Sequence, residues 1–400
     1  MVLTSSLPLF QLKEKFLLPI VQGGMGIGIS AHQLAGTVAS LGGLGTISSV
    51  DLRRHHADLM GQTGSSKDKD LINKVNLIAL DREIQAAKAL AGEAGAIAVN
   101  VMRAVSEYAH YVRQSCASGA HAIVVGAGLP MDLPEITIDF PKVALIPILS
   151  DVRGIALLMK KWMRKGRLPD AIVVEHPRYA GGHLGAPRAE DVGDARFEMA
   201  GVLSGTRELF RELGLEKENI PLIAAGGVNS HDKVRELLSQ GASAVQFGTA
   251  FAVTEEGDAH VNFKKTLAEA RPQDIVTFMS VAGLPARAVK TPWLATYLEK
   301  EQKLQDKAKQ KKCLVAFDCL HQCGLRDGLS KAGQFCIDTQ LSFALKGDVK
   351  RGLFFRGSEP LPFGTAIRSV SELMQYFLTG QRPPEMTSSR TGYRLDRVHV

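Results

Sequence analysis

The hydrophobic positions of this chain fall into short, near-continuous runs separated by longer stretches with helical spacing. Runs rich in Val, Ile, Leu and Ala start near Pro19 (PIVQ), Leu44 (LGTIS), Ala96 (AIAVNVM), His121 (HAIVV), Val143 (VALIPIL), Ala171 (AIVV), Pro221 (PLIAA) and Ser243 (SAVQF). Runs of this length, apolar throughout and closed by Gly, Ser or Asn, predict strands buried on both faces, as in a parallel sheet. Between them, Ser30, Asp151 and Ser230 stand where they would cap helices over AHQLAGTVASLG, VRGIALLMKKWMRKG and HDKVRELLSQG, the last ending at Gly241. The runs start about 22 to 28 residues apart in five of seven intervals and about twice that in the other two. Eight strands at this βα spacing predict an α/β fold, a (β/α)8 TIM barrel. The two long intervals then hold insertions at 51–80, for which a lid is one use, and at 176–205. A doubly wound open sheet is the alternative. It predicts one dominant glycine fingerprint on the first strand, whereas here glycine-rich strand ends recur along the chain.

After about residue 265 the rhythm changes. The barrel is expected over 15–265, a helical, cysteine-bearing appendage over 266–380 and a flexible tail over 381–400, where prolines and polar residues dominate.

Composition changes this picture in three ways. With 400 residues, 45% hydrophobic and 22% charged, the chain is ordinarily globular, but its 39 glycines are a surplus that suggests backbone approached closely by a ligand. The net charge of +7 is mild. Its one basic run, in EKEQKLQDKAKQKK ending at Lys312, reads as a solvated helix face; with no aromatic residue interleaved, no nucleic-acid partner is expected. No stretch of 18 apolar residues is present and the N-terminus does not read as a secretory signal, so neither a membrane span nor export is expected. Five cysteines, Cys116, Cys313, Cys319, Cys323 and Cys336, are an odd number and point to a reducing cytoplasm.

In a barrel of this type the active site lies at the C-terminal ends of the strands. Those ends read Gln22-Gly23-Gly24-Met25-Gly26, Gly45-Thr46-Ile47-Ser48-Ser49, a strand carrying Asn100, Gly126-Ala127-Gly128, Ile148-Leu149-Ser150, Glu175 followed by HPRYAGGH, Ala224-Ala225-Gly226-Gly227 and Gln246-Phe247-Gly248-Thr249. Glycine pairs after the seventh and eighth strands match the phosphate site of such barrels, where backbone N–H groups face the anion, and Thr249 adds a hydroxyl. No P-loop sequence is present, so the terminal phosphate of a bound cofactor is expected there rather than a nucleoside triphosphate. His183, in a loop flanked by glycines, is the candidate for proton transfer near neutrality. The cysteines from Cys313 to Cys336 are spaced C-x5-C-x3-C-x12-C, without the C-x2-C pairs of zinc ribbons. They read either as thiolate ligands of an iron–sulfur cluster or zinc, with His321 as a substitute ligand, or as buried free thiols.

The set QGGMG (22–26), GGLGTIS (42–48), VNVM (99–102), AGGHLG (180–185), AAGGV (224–228) and VQFGTAF (245–251) resembles the nitronate monooxygenases, also called 2-nitropropane dioxygenases, and the related flavin-dependent enoyl-acyl-carrier-protein reductases. The resemblance covers about residues 15–295. It implies an FMN-binding barrel in which Gly23, Gly24, Met25, Ser48, Asn100 and Gly128 lie along the ring and ribityl chain. It places Gly181, Gly182, Gly226, Gly227, Gly248 and Thr249 on ribityl and phosphate, with Gln22, Ala225 and Gln246 beside them on the strand ends. His183 would be the catalytic base or acid. The activity implied is oxidation of alkyl nitronates by O2. The alternative is NAD(P)H-dependent reduction of an enoyl thioester, or of another acceptor, and a homodimer is the assembly expected. QGGMG and AHVNFKKTLAEAR (259–271) look more like the reductases, and EHPRYAGGH is one residue longer than the common form, with Arg178 or Tyr179 where an acidic residue is often found.

Overall fold

Eight of the apolar runs become eight parallel strands that close on themselves. The computed structural model describes residues 3–384. Its strands are β1 (Ile20–Gln22), β2 (Leu44–Ser48), β3 (Ala96–Met102), β4 (Ala122–Gly126), β5 (Ala144–Leu149), β6 (Ile172–Glu175), β7 (Leu222–Ala225) and β8 (Ala244–Phe247). Each pairs in parallel with the next, and β8 returns to β1 through Val245 opposite Ile20. The tail expected over 381–400 lies, from residue 385, outside the described residues.

Alternate residues of each strand point to opposite faces. One set, including Val21, Leu44, Ala98, Val124, Ile146, Val173, Ile223 and Ala244, fills the barrel interior. The N-terminal strands Phe10–Leu12 and Lys15–Leu17 form an antiparallel hairpin whose Phe10, Leu12 and Leu17 join that inner core, plugging the end away from the strand C-termini. The other set, with Ile47, Val99, Ile123 and Leu145, packs beneath the outer helices.

Two of the three expected caps are present. Asp151 accepts from Gly154 N at 2.7 Å ahead of helix Val152–Met163, and Ser230 from Lys233 N at 3.2 Å ahead of His231–Ser239. Ser30 is not a cap. Its hydroxyl accepts from Met25 N at 2.9 Å, bracing the first glycine loop. Helix His32–Ser40 is capped from far along the chain: the Asp258 carboxylate accepts from Ala31 N at 2.8 Å, Leu34 N at 3.1 Å and Gln33 N at 3.1 Å.

The segment 51–80 is not a polar lid. It holds a short turn, helix Ala57–Thr63 and the first half of the long helix Lys69–Ala91, whose Ile72, Val75, Ala79 and Leu80 are buried against the barrel. Nor is 266–380 a helical appendage. Strands Ile275–Met279 and Pro285–Val289 form an antiparallel hairpin whose second strand also pairs with Phe354–Phe355, at Ala288 and Val289, and with Gly182–His183, at Ala286 and Arg287. The β-branched run IVTFM and the turn at Gly283 are the signals for it. Helix Val370–Thr379 then packs between His32–Ser40 and His231–Ser239, the place of the eighth barrel helix. The stretch between β8 and that helix is therefore an insertion folded over the mouth of the barrel.

Candidate functional site

A cavity of about 730 Å³ opens where the eight strands end, closed from above by the insertion. Gly23, Gly24, Met25, Ser48, Asn100, Gly128, Gly181, Gly182, His183, Ala225, Gly226, Gly227, Gln246, Gly248 and Thr249 all line it. Gln22 does not. It is fully buried in the barrel wall, where Oε1 accepts from Thr46 N at 2.8 Å and Nε2 donates to Thr46 O at 3.1 Å. β1 and β2 are in register at Val21 and Leu44 alone, so this amide bridges the two strands where the ladder is short.

One end of the cavity is built from backbone. Gly226 and Gly227 have φ of +97° and +77°, which side chains with a Cβ rarely adopt. A Cβ there would also meet His176 O at 2.9 Å and the Tyr179 ring at 2.8 Å. Among the described residues the N–H groups of Gly226, Gly227, Gly248 and Thr249 have no acceptor. Thr249 Oγ1 accepts from Gly357 N at 3.0 Å, leaving its own proton to donate. Convergent free amides with one hydroxyl are an anion nest.

His183 also lines the cavity. It is half-buried on the short strand Gly182–His183, in register with Ala286 and Arg287, so a sheet rather than a loose loop sets its position. Its Nε2 lies 2.9 Å from Oγ of the buried Ser280, and the Phe355 ring centroid is 6.0 Å away. Burial pushes its pKa down to about 4. The imidazole is therefore neutral around pH 7, able to accept a proton. Ser280 and Phe355 belong to the insertion and were not legible as site residues in the sequence.

Glu175, the last residue of β6, also lines the cavity. It has no hydrogen-bond partner among the described residues, and burial alone raises its pKa to about 7. The remaining wall is mostly apolar, with Ile27, Val50, Met102, Val105, Leu320 and Leu341. It ends at Asp338, whose Oδ2 accepts from Arg54 at 2.6 Å while its buried Oδ1 has no partner. Arg54 also pairs with Asp51, so this chain of charges ties the loop after β2 to helix Ile337–Leu345 of the insertion.

The cysteine cluster is part of that wall. His321 N donates to Ala104 O at 2.9 Å and Ser106 Oγ to Asp318 O at 2.5 Å, stitching the segment to the loop after β3. Cys319 lines the cavity, whereas Cys336 stands at the N-terminus of helix Ile337–Leu345 and accepts from Thr339 Oγ1 at 3.2 Å. All five thiols are free. Of the two readings of the cluster, the metal-ligand set is not formed: among the described residues no group of three or more His, Cys, Asp or Glu is placed to hold a metal ion. Burial instead holds the Cys319 thiol well above its ordinary pKa, the reverse of a ligating thiolate. No helix among the described residues is long and apolar enough to cross a membrane.

Comparison with known proteins agrees with this geometry. Residues 10–350 match the nitronate monooxygenase family model. A probable nitronate monooxygenase of Staphylococcus saprophyticus is 24% identical over 297 residues, 72% of this chain and 80% of that protein. The nitronate monooxygenase of Pseudomonas aeruginosa is 34% identical over 120 residues, 30% of this chain and 31% of that one. Among solved structures, FabK from Thermotoga maritima superposes with a TM-score of 0.60 at 22% identity, covering 90% of this chain and 91% of its own. Nitroalkane oxidase from Streptomyces ansochromogenes superposes with a TM-score of 0.61 at 20% identity, covering 92% and 96%. At those identities the structures speak for the fold, while the family match spans most of the chain. The chain belongs to the nitronate monooxygenase family and is a flavin-dependent oxidoreductase on a (β/α)8 barrel.

Proposed function

We propose that this enzyme holds FMN at the barrel mouth and oxidises alkyl nitronates with O2 to a carbonyl compound and nitrite. The observation that carries the reading is one cavity lined both by a free-amide nest and by a neutral, hydrogen-bonded His183. The residues present fit such a cofactor. The amides of Gly226, Gly227, Gly248 and Thr249 would hold its phosphate. Met25, Ser48, Asn100, Gly128 and Gln246, with the small residues Gly23, Gly24, Gly181, Gly182 and Ala225 that leave room beside them, would hold the rest. When bound, FMN supplies the redox chemistry, taking electrons from the substrate and passing them to O2.

The protein contributes position, charge and dryness. His183 is held at the cavity wall by the strand it lies on, with Ser280 holding Nε2. On a neutral nitroalkane, the imidazole removes the α-proton; on a nitronate already formed, it orients the anion by a hydrogen bond. The apolar wall from Ile27 to Leu341 excludes water from the reacting carbon. Free thiols throughout fit a reducing cytoplasmic setting.

The test uses the purified yellow protein. Nitronate added in air should release nitrite without NADH, and NADH alone should reduce the flavin slowly. Rapid reduction by NADH with enoyl-thioester turnover, and no nitrite, would replace this reading by the reductase. His183→Ala should lower turnover of neutral nitroalkanes by about a hundredfold or more while leaving flavin bound.

A further inference from the structure

Arg287 and Arg356 of the insertion are both buried, their backbones in contact, without a carboxylate to pair with. Arg287 is in register with Gly182, Arg356 follows the strand Phe354–Phe355, and Arg356 N donates to Arg287 O at 3.4 Å. Their exposures are 7% and 4%. Among the described residues neither forms an ion pair, and their guanidinium donors meet only carbonyls. Arg287 donates to Ala180 O at 2.6 Å and Pro177 O at 3.3 Å; Arg356 donates to Leu267 O at 2.9 Å and Gly357 O at 2.7 Å. The one acidic side chain whose charge reaches both is the half-buried Glu359, too far to form an ion pair with either. Buried guanidinium groups are almost always paired, because desolvating an uncompensated charge costs several kcal/mol. Two of them served by one distant carboxylate leave an excess of one positive charge, and an anion is what would balance it.

The backbone they grip shows where that anion would sit. Ala180 leads directly into Gly181, and a Cβ on Gly181 would lie 2.6 Å from the backbone of Arg356 and Gly357. Gly357 in turn donates to Thr249 Oγ1, and Arg356 itself lines the cavity. The excess charge is therefore held beside the same amide nest that Gly226, Gly227, Gly248 and Thr249 build. The nest contributes partial charges only; the arginines contribute whole ones.

We propose that Arg287 and Arg356 form the counter-charge of a phosphate monoester dianion in this nest, so that the protein selects a phosphorylated flavin over an unphosphorylated one. The proposal rests on the FMN reading above and adds the residues that enforce it.

The experiment compares FMN and riboflavin binding to flavin-free protein by fluorescence quenching in phosphate-free buffer. Wild type should prefer FMN strongly. Arg287→Gln and Arg356→Gln should each weaken FMN at least about thirtyfold, leave riboflavin affinity unchanged, and be largely rescued by Arg287→Lys and Arg356→Lys. An unchanged FMN preference in folded variants would overturn the proposal, as would equal weakening of both flavins, which would make the arginines merely structural. Wild-type protein that binds neither flavin would overturn the FMN reading itself, a different outcome. Should the glutamine variants not fold, ³¹P NMR of FMN bound to wild type decides. The phosphate should stay dianionic from pH 5 to 8, and a titration near its ordinary second pKa of about 6 would count against a buried counter-charge.

Discussion

His183, the proposed base, shows how little of a residue's character lies in its own side chain. An ordinary histidine is partly protonated near neutrality, but burial brings this one down to about pH 4 and Ser280 holds its Nε2. Turnover of neutral nitroalkanes should therefore be flat from pH 8 down to about 5 and fall as pH drops through about 4, because the protonated ring cannot accept the α-proton. A stopped pH–rate series on kcat/KM checks this. Ser280→Ala should lower kcat/KM for neutral nitroalkanes about tenfold and leave nitronate turnover within a few-fold, as measured by initial nitrite release. Glu175 works in the opposite direction. Its folded pKa of about 7 lies above the ordinary carboxylate value of 4.5, so the folded state holds the proton more tightly. The stability this contributes is full below about pH 4.5 and is lost as pH rises through 7. Glu175→Gln should raise the melting temperature of flavin-free protein at pH 8 and not at pH 4.5; an equal rise at both would contradict it.

At the scale of elements, the strands were legible and several of their partners were not. Each predicted apolar run begins within about one residue of an observed barrel strand, because a strand buried on both faces must be apolar along its whole length. Helix ends were read with the same local logic, which succeeded at Asp151 and Ser230 and failed at Ser30. There the hydroxyl serves Met25 in the glycine loop, and the cap comes from Asp258, more than two hundred residues away. No local pattern can announce such a cap. Asp258→Ala strips acceptors from three helix N–H groups in a half-buried setting and should cost about 1–2 kcal/mol in urea unfolding. Gln22 carries the same lesson. It ends a strand beside the glycine loop, as a cofactor ligand would, yet its amide is spent joining β1 to β2.

For the whole molecule, the decisive feature is the length of chain between β8 and its helix. Sequence rhythm stopped at about residue 265, and the remainder read as an appendage. In the structure the chain first builds a sheet over the barrel mouth, supplying Phe355, Arg356 and Asp338 to the cavity wall and Ser280 behind His183, and only then returns as helix Val370–Thr379 to complete the outer ring. Phe377 is fully buried there and stacks on Phe247 of β8 with ring centroids 4.1 Å apart. Phe377→Ala should cost about 3–5 kcal/mol by urea unfolding; a loss under 1 kcal/mol would mean that the helix is not part of the ring. What the sequence by itself determined was the periodic part: eight strands, the glycine-rich ends and the histidine that would face a ligand, all local consequences of burial and backbone geometry. Only the tertiary structure decided which charges have partners and what closes the cavity. Pairings such as His183 with Ser280, Arg54 with Asp338 or Arg287 with Arg356 join residues far apart in the chain, and their energetics depend on burial that no single stretch of sequence contains.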